Sequence, residues 1–187
     1  GAFTVLDIIT KQKKRMLQIS TDEVFGSLSS NTATEESKLN PSSPYAATKA
    51  AAELLINSYC VTYDSDVIIT RCTNNYGPRQ FPEKLIPKTI ILAKQGQNIP
   101  IYGNGENIRD WIHVDDHCNG ILSLLLDGKS GQSYNISANN EMDNITIVKM
   151  ILEIMGKSED LIEHVEDRPG HDFRYSMSSN KISKEYS

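Results

Sequence analysis

Long apolar runs are missing from this chain. No stretch approaches the roughly 20 apolar residues that a helix needs to cross a bilayer, so no membrane partner is expected. Excess positive charge is missing too. The net charge is −5, and a general nucleic-acid binder needs a basic face. A locally basic site for a small anion stays open. Cysteines are few. Cys60, Cys72 and Cys118 lie far apart and form no CxxC pair, which excludes a disulfide framework and suggests buried, reduced thiols in a cytoplasmic protein. Gly1 to Thr10 has no cationic leader and soon runs into Lys11-Gln12-Lys13-Lys14-Arg15, so it does not read as a secretory signal. Neither G-x-G-x-x-G nor H-E-x-x-H occurs. His113-Val114-Asp115-Asp116-His117 has a metal-like spacing. It straddles an expected strand-to-helix junction, however, and no metal site is expected. There is no internal repeat and no low-complexity segment.

What is present fits a folded α/β domain. The 187 residues are 39% hydrophobic and 23% charged, enough for one domain with a core. Phe3 to Lys13 has helical spacing, and its basic end opposes the helix dipole. Met16 to Ser20 reads as a strand. Ser27 to Pro44 is polar and reads as a loop, long for a compact domain, and long loops are often functional. A helix is expected over Tyr45 to Tyr63 and a β-branched strand over Asp66 to Cys72. Thr73 to Phe81 reads as a polar turn. A helix over Leu85 to Lys94 is ended by Gly96. Strands follow at Ile99 to Tyr102 and Asp110 to Val114. Asp115 reads as the cap of a helix ending near Leu126. A strand over Ser133 to Ser137 and a final helix over Ile145 to Met155 complete the pattern. Trp111 falls in a strand and is expected in the core. Strands alternating with helices predict a parallel sheet.

Two stretches carry chemistry. Ser20-Thr21-Asp22-Glu23 follows an apolar run, at the strand end where open α/β sheets bind ligands. Two adjacent acids there are costly unless exposed or used. A general acid and a general base acting on neighbouring carbons need such a pair, with environments that separate their pKa values. Tyr45 and Lys49 lie one helical turn apart and share a face. A free tyrosine titrates near ~10, and a neighbouring ammonium is expected to lower that value. Alone, Y-x-x-x-K is a weak signal, equally read as a solvated lysine beside a half-buried tyrosine.

Ser20-Thr21-Asp22-Glu23-Val24-Phe25-Gly26 followed by Pro44-Tyr45-Ala46-Ala47-Thr48-Lys49 resembles the extended short-chain dehydrogenase/reductases, and among them the dTDP-glucose 4,6-dehydratases. The likeness runs through Arg71-Cys72-Thr73-Asn74-Asn75-Tyr76-Gly77-Pro78, Phe81 to Pro87, Pro100 to Gly103 and Ile108 to Trp111. It continues in Tyr134-Asn135-Ile136, Asp167 to Asp172 and Arg174-Tyr175. Related sugar-nucleotide epimerases generally lack the Asp-Glu pair.

The resemblance implies a fold, a reaction and partners. The fold class is α/β: a partial Rossmann-like parallel sheet with a small substrate-binding subdomain. Residues 1–75 would carry the catalytic residues of the Rossmann-like part. Residues 76–187 would mostly bind sugar nucleotide, with residues 109–127 returning to the first part. The cofactor would be NAD. By resemblance, Tyr45 with Lys49 takes the O4 proton while C4 gives up hydride, and Thr21 holds the same hydroxyl. Glu23 takes the C5 proton, and Asp22 protonates the departing C6 hydroxyl. Ser20 and Asn75, with Tyr45 and Lys49, match positions near the cofactor. Thr21, Asn74, Lys84, Leu85, Pro100, Tyr102, Arg109, Asn144, Arg168 and His171 match positions around the substrate. The expected partners are a nucleotide sugar, dTDP-glucose first, and a second copy of the chain. A UDP-glucose version, an epimerase, or a non-catalytic fragment serving assembly are the alternatives.

Family members begin with a strand, a glycine-rich turn and a helix that hold the NAD diphosphate, and no such unit occurs here. The usual terminal helix is also not matched. The resemblance therefore leads to the expectation that this chain alone neither binds NAD in the family manner nor turns over. Isothermal titration of the chain with NAD should give no micromolar binding; heat of binding in that range would overturn the expectation.

Overall fold

The computed structural model describes residues 1–186. Its first layer is a parallel sheet. β1 (Met16–Ile19) pairs with β2 (Val67–Cys72), and β2 pairs with β6 (Ser133–Ile136). Side chains of β2 alternate between two faces, as a strand requires. Val67 and Ile69 meet Leu6 of α1 (Ala2–Lys11) and Ile56 of α2 (Pro44–Tyr63). Ile68 meets Leu124 of α4 (Val114–Asp127), together with Tyr134 and Ile136 of β6. The sheet is thus covered on both sides, the usual condition of parallel strands.

Local signals explain the element ends. Ser43 caps α2 by accepting from the Ala46 N–H, and Pro44 occupies the first helical turn, where its missing N–H costs nothing. The chain leaves α1 through Lys13 at φ 52. Arg15 then ties β1 to the start of β2 by donating to Asp66 at 2.9 Å.

A second group of strands carries the rest. β3 (Asn74–Tyr76) runs parallel to β5 (Ile108–His113), and β7 (Glu141–Asp143) is antiparallel to β5. β4 (Ile99–Tyr102) pairs with β8 (Ile162–Val165) in parallel. α3 (Leu85–Gln95) and α5 (Asn144–Ile154) cover that pair around Ala93, Ile99, Ile101, Val148 and Leu152. Ile112 of β5 joins the core of the first sheet. A short helix, α6 (Asn180–Tyr186), packs Ile182 and Tyr186 on Tyr134 of that sheet.

Several expectations need correction. The expected turn over residues 73–81 contains β3, stabilised by its partner β5. Asp115 is not the cap of α4. His113 is, its Nδ1 accepting from the Asp115 N–H at 3.3 Å, while Asp115 and Asp116 fill the first turn where the dipole favours acids. The helix at residues 144–154 is not the last, since β8 and α6 follow it. Cys118 is exposed, not buried; Cys60 and Cys72 are partly buried. Trp111 is buried and donates to the Met142 carbonyl at 3.3 Å.

One buried ion pair fixes α2 against the sheet. Arg71, on the α2 face of β2, donates to Glu53 of α2, Nη2 to Oε2 at 2.7 Å and Nε to both carboxylate oxygens. Both side chains are buried, and the guanidinium lies 4.9 Å from the Phe25 ring centre. Arg71 also donates to the Glu35 carbonyl, and the Glu35 carboxylate accepts from the Asn135 N–H. Loop, helix and sheet therefore share one charged node. Removing one charge from a buried pair leaves the other uncompensated, so Glu53→Gln should cost about 3–5 kcal/mol in urea unfolding. A loss below about 1 kcal/mol, the size of an ordinary surface change, would contradict this assignment.

Candidate active site

Beyond β1 the chain turns through Thr21 into a single 3-10 turn, Asp22–Phe25. Thr21 caps it: its hydroxyl oxygen accepts from the Glu23 N–H at 3.3 Å and its O–H donates to Asp22 Oδ1 at 3.2 Å. The turn exits through Gly26 at φ 70, where a Cβ would sit 2.3 Å from the Asn40 carbonyl oxygen. Only glycine lets the long loop close this tightly over the turn.

The two acids meet different surroundings. Asp22 is buried, and its Oδ2 has no hydrogen-bond partner. Burial, then repulsion by Glu23, pushes its carboxyl from the ordinary 3.8 up to about 7. Glu23 is less buried. Burial raises its pKa, while Arg109, Arg168 and Lys84 pull it back.

Tyr45 stands in the first turn of α2 with Lys49 one turn behind it. The expected lowering of the Tyr45 pKa does not occur. Burial and the nearby Glu23, Cys72 and Asp22 raise it, and only the Thr21 hydroxyl works the other way. The Lys49 ammonium donates instead to the Ile19 carbonyl at 2.9 Å.

A cleft of about 490 Å³ gathers Ser20, Thr21, Asp22, Glu23, Tyr45, Lys49, Asn74, Asn75 and Lys84. Cys72, Thr73, Gln80 and Val114 are also on its wall. Ser20 Oγ, Thr73 Oγ1, Asn75 Oδ1 and Gln80 Oε1 are buried there without partners. A second cleft of about 470 Å³ shares Glu23, Tyr45 and Lys84 with the first and adds Arg168. The two clefts thus continue one another across Glu23 and Tyr45.

The other expected site residues lie outside both linings. Leu85 opens α3, and Pro100 and Tyr102 lie on β4. The Tyr102 ring meets the His171 ring edge-on at 6.2 Å, and His171 Nδ1 pairs with Asp167 at 2.7 Å. Asn144 begins α5. Arg109 lies on β5. It is buried, donates to the carbonyls of Ile108, Asp172 and Phe173, and lies 4.3 Å from the Tyr175 ring centre. Tyr175 and Asp172, which sequence reasoning gave no role, line the second cleft. They lie about 150 residues from Glu23 in the chain, and no local pattern marks a contact of that range.

A family model described as GDP-mannose 4,6 dehydratase matches residues 1–186. The chain belongs to the GDP-mannose 4,6 dehydratase family. Among relatives in this family, the dTDP-glucose 4,6-dehydratase of Streptomyces niveus is 48% identical over 171 residues, 91% of this chain and 51% of that protein. The enzyme of the same name from Streptomyces griseus is 46% identical over 186 residues, 99% of this chain and 57% of its own length. The crystal structure of the Bacillus anthracis dTDP-glucose 4,6-dehydratase in complex with NAD matches with a TM-score of 0.96 and 44% identity, covering 99% of this chain and 60% of that one. This chain therefore spans between half and three-fifths of the length of these relatives. The fold is that of the Rossmann-type sugar-nucleotide enzymes.

The raised Asp22 pKa has a consequence for stability. The folded chain holds a proton that the unfolded chain has released, so this group's contribution is complete below pH 3.8 and is lost as pH rises through about 7. Asp22→Asn removes that titration. The variant should gain on the parent between pH 4 and pH 8 by about 2–4 kcal/mol, read from urea unfolding at each pH. A difference that stays constant across this range would show that Asp22 does not titrate there.

Proposed function

We infer that this chain carries the catalytic and sugar-nucleotide-binding residues of an NAD-dependent dTDP-glucose 4,6-dehydratase. The observation that carries the reading is the pair Asp22 and Glu23, adjacent in sequence and held in unlike environments beside Tyr45. An acid that keeps its proton near neutral pH and a neighbouring base are what elimination of water requires. A plain 4-epimerase has no step that uses them.

Each role is the one that the family likeness implies. NAD, when bound, supplies a hydride acceptor that later returns the hydride. The Tyr45 phenol, facing the cleft one turn from Lys49, takes the proton from the sugar O4, which Thr21 also holds. Glu23 removes the C5 proton, made acidic by the adjacent C4 ketone. Asp22 gives its proton to the departing C6 hydroxyl. The unpartnered polar atoms of Ser20, Thr73, Asn75 and Gln80 fit the amide of a nicotinamide against Tyr45 and Lys49. Lys84 and Arg168, with Arg109 close enough to act on Glu23, make the second cleft suited to a diphosphate. Asn74, Leu85, Pro100, Tyr102, Asn144 and His171 complete the nucleotide and diphosphate side.

The same reading divides the chain at about residue 75 and places the enzyme in the cytoplasm as a homodimer. Apolar residues exposed on α1 and α2, among them Phe3, Leu54 and Val61, supply a surface for a second copy.

The test incubates the protein, expressed with whatever coding sequence lies upstream, with NAD and either dTDP-glucose or UDP-glucose. Loss of water from dTDP-glucose, seen as a 4-keto-6-deoxy product by mass spectrometry, is expected. Preference for UDP-glucose would move the assignment to that base. Glu23→Gln should lower turnover at least about 100-fold while dTDP still binds. Intact turnover in that variant would make the role of Glu23 wrong.

A further inference from the structure

The long loop at residues 27–43 and the segment at residues 172–178 are fastened together along their length. Leu28 N–H donates to the Arg174 carbonyl at 2.9 Å, Ala33 N–H to Ser176 at 3.0 Å, and Ser178 N–H to Ala33 at 2.8 Å. On its other side the segment pairs with Ile108, whose N–H donates to the Phe173 carbonyl at 2.8 Å. These are backbone bonds and do not depend on side chains.

One side chain joins the two strands of this strap at the cleft. Asp172 Oδ2 accepts from the Ser42 hydroxyl and, at 2.7 Å, from the Tyr175 phenol. Its backbone carbonyl accepts from Arg109 Nη2 at 2.8 Å and from Asn107 at 3.3 Å. Ser42 lies three residues before Tyr45, at the entry to α2. Tyr175 lies beneath the Arg109 guanidinium. A single carboxylate oxygen therefore ties the entry of the helix bearing Tyr45 to the aromatic support of Arg109.

The geometry points to Asp172 as a positioning residue that sets the distance between the two ends of the bound sugar nucleotide: the sugar at Tyr45 and the diphosphate beside Arg109 and Arg168. This rests on the dehydratase reading above. The carboxylate itself is buried and touches the two hydroxyls. Removing it leaves the backbone fastening in place and frees only the helix entry and the phenol. A nucleotide held at one end should then bind as before, while the sugar loses its alignment with Tyr45.

The experiment compares Asp172→Ala and Asp172→Asn with the unsubstituted protein in two measurements. In the first, Asp172→Ala should lower kcat for dTDP-glucose about 10- to 100-fold, since small misplacements cost that much. The Kd for dTDP, by calorimetry, should stay within about twofold. Asp172→Asn, whose amide oxygen still accepts from both hydroxyls, should recover most of the loss. The second measurement is amide hydrogen exchange, which needs no turnover. Asp172→Ala should speed exchange in residues 42–48 and in residues 172–178, and Asp172→Asn should restore it. Loss of dTDP binding in proportion to kcat, no rescue by asparagine, or unchanged exchange at residues 42–48 would each overturn the proposal. Failure of the unsubstituted protein to act on dTDP-glucose would count against the dehydratase reading, and exchange alone would then decide whether Asp172 joins the two segments.

Discussion

The buried pair between Arg71 and Glu53 is the constraint on which the site depends. A parallel sheet fixes where its strands end, but a helix lying on it can slide or rotate unless something stops it. Arg71 projects from β2 onto the α2 side, and its forked guanidinium meets Glu53 one turn along the helix from Lys49. Two charges taken out of water tolerate little misalignment. The pair therefore sets where the first turn of α2 lies relative to the end of β1, and so where Tyr45 and Lys49 stand relative to Asp22. A further bond of Arg71, to the Glu35 carbonyl, holds the long loop over the same region.

Within that frame the two acids are separated by surroundings and not by residue type. Asp22 is buried at the cleft wall and leaves one oxygen without a partner. Glu23, one residue on, lies near two arginines and a lysine. Burial raises both carboxyls, but the cations near Glu23 oppose the rise there, so Asp22 is the one pushed up to about 7. Tyr45 pays for this company: the carboxylates that suit elimination also oppose its ionisation. Protonated Asp22 relieves part of that repulsion.

Much of this was legible in the sequence, where apolar pattern and turn residues are local signals. β1, β2, β4, α2, α3 and α4 follow from apolar periodicity, β-branched runs and turn residues, and their ends fall within a few residues of those expected. β3 and β7 have only three residues, and β8 (Ile162–Val165) sets Glu163 and His164 between its two apolar ends. Pairing with distant partners defines them, so no local pattern could. The cap of α4 was misplaced because an aspartate is the commoner cap, whereas His113 uses a ring nitrogen. At the site, the residues on β1 and α2 were found together because strand end and helix start are both readable. Arg109 was placed by family likeness near a diphosphate, yet its guanidinium donates to backbone carbonyls and lies over Tyr175. Tyr175 and Asp172 were passed over because only the folded chain brings residues 172–178 to residue 42.

The thiols have a consequence for anyone wishing to watch this molecule. Cys118 is exposed on α4, whereas burial pushes Cys72 up to about 12 and raises Cys60 as well. Thiol-directed reagents act on thiolate, so the cysteine in the cleft is chemically quiet and the one on the helix is accessible. The chain thus comes with a single convenient attachment point for a spectroscopic reporter. That point lies one turn from Val114, on the wall of the cleft. A label there shares a helix face with Val114 and senses the site from one turn away.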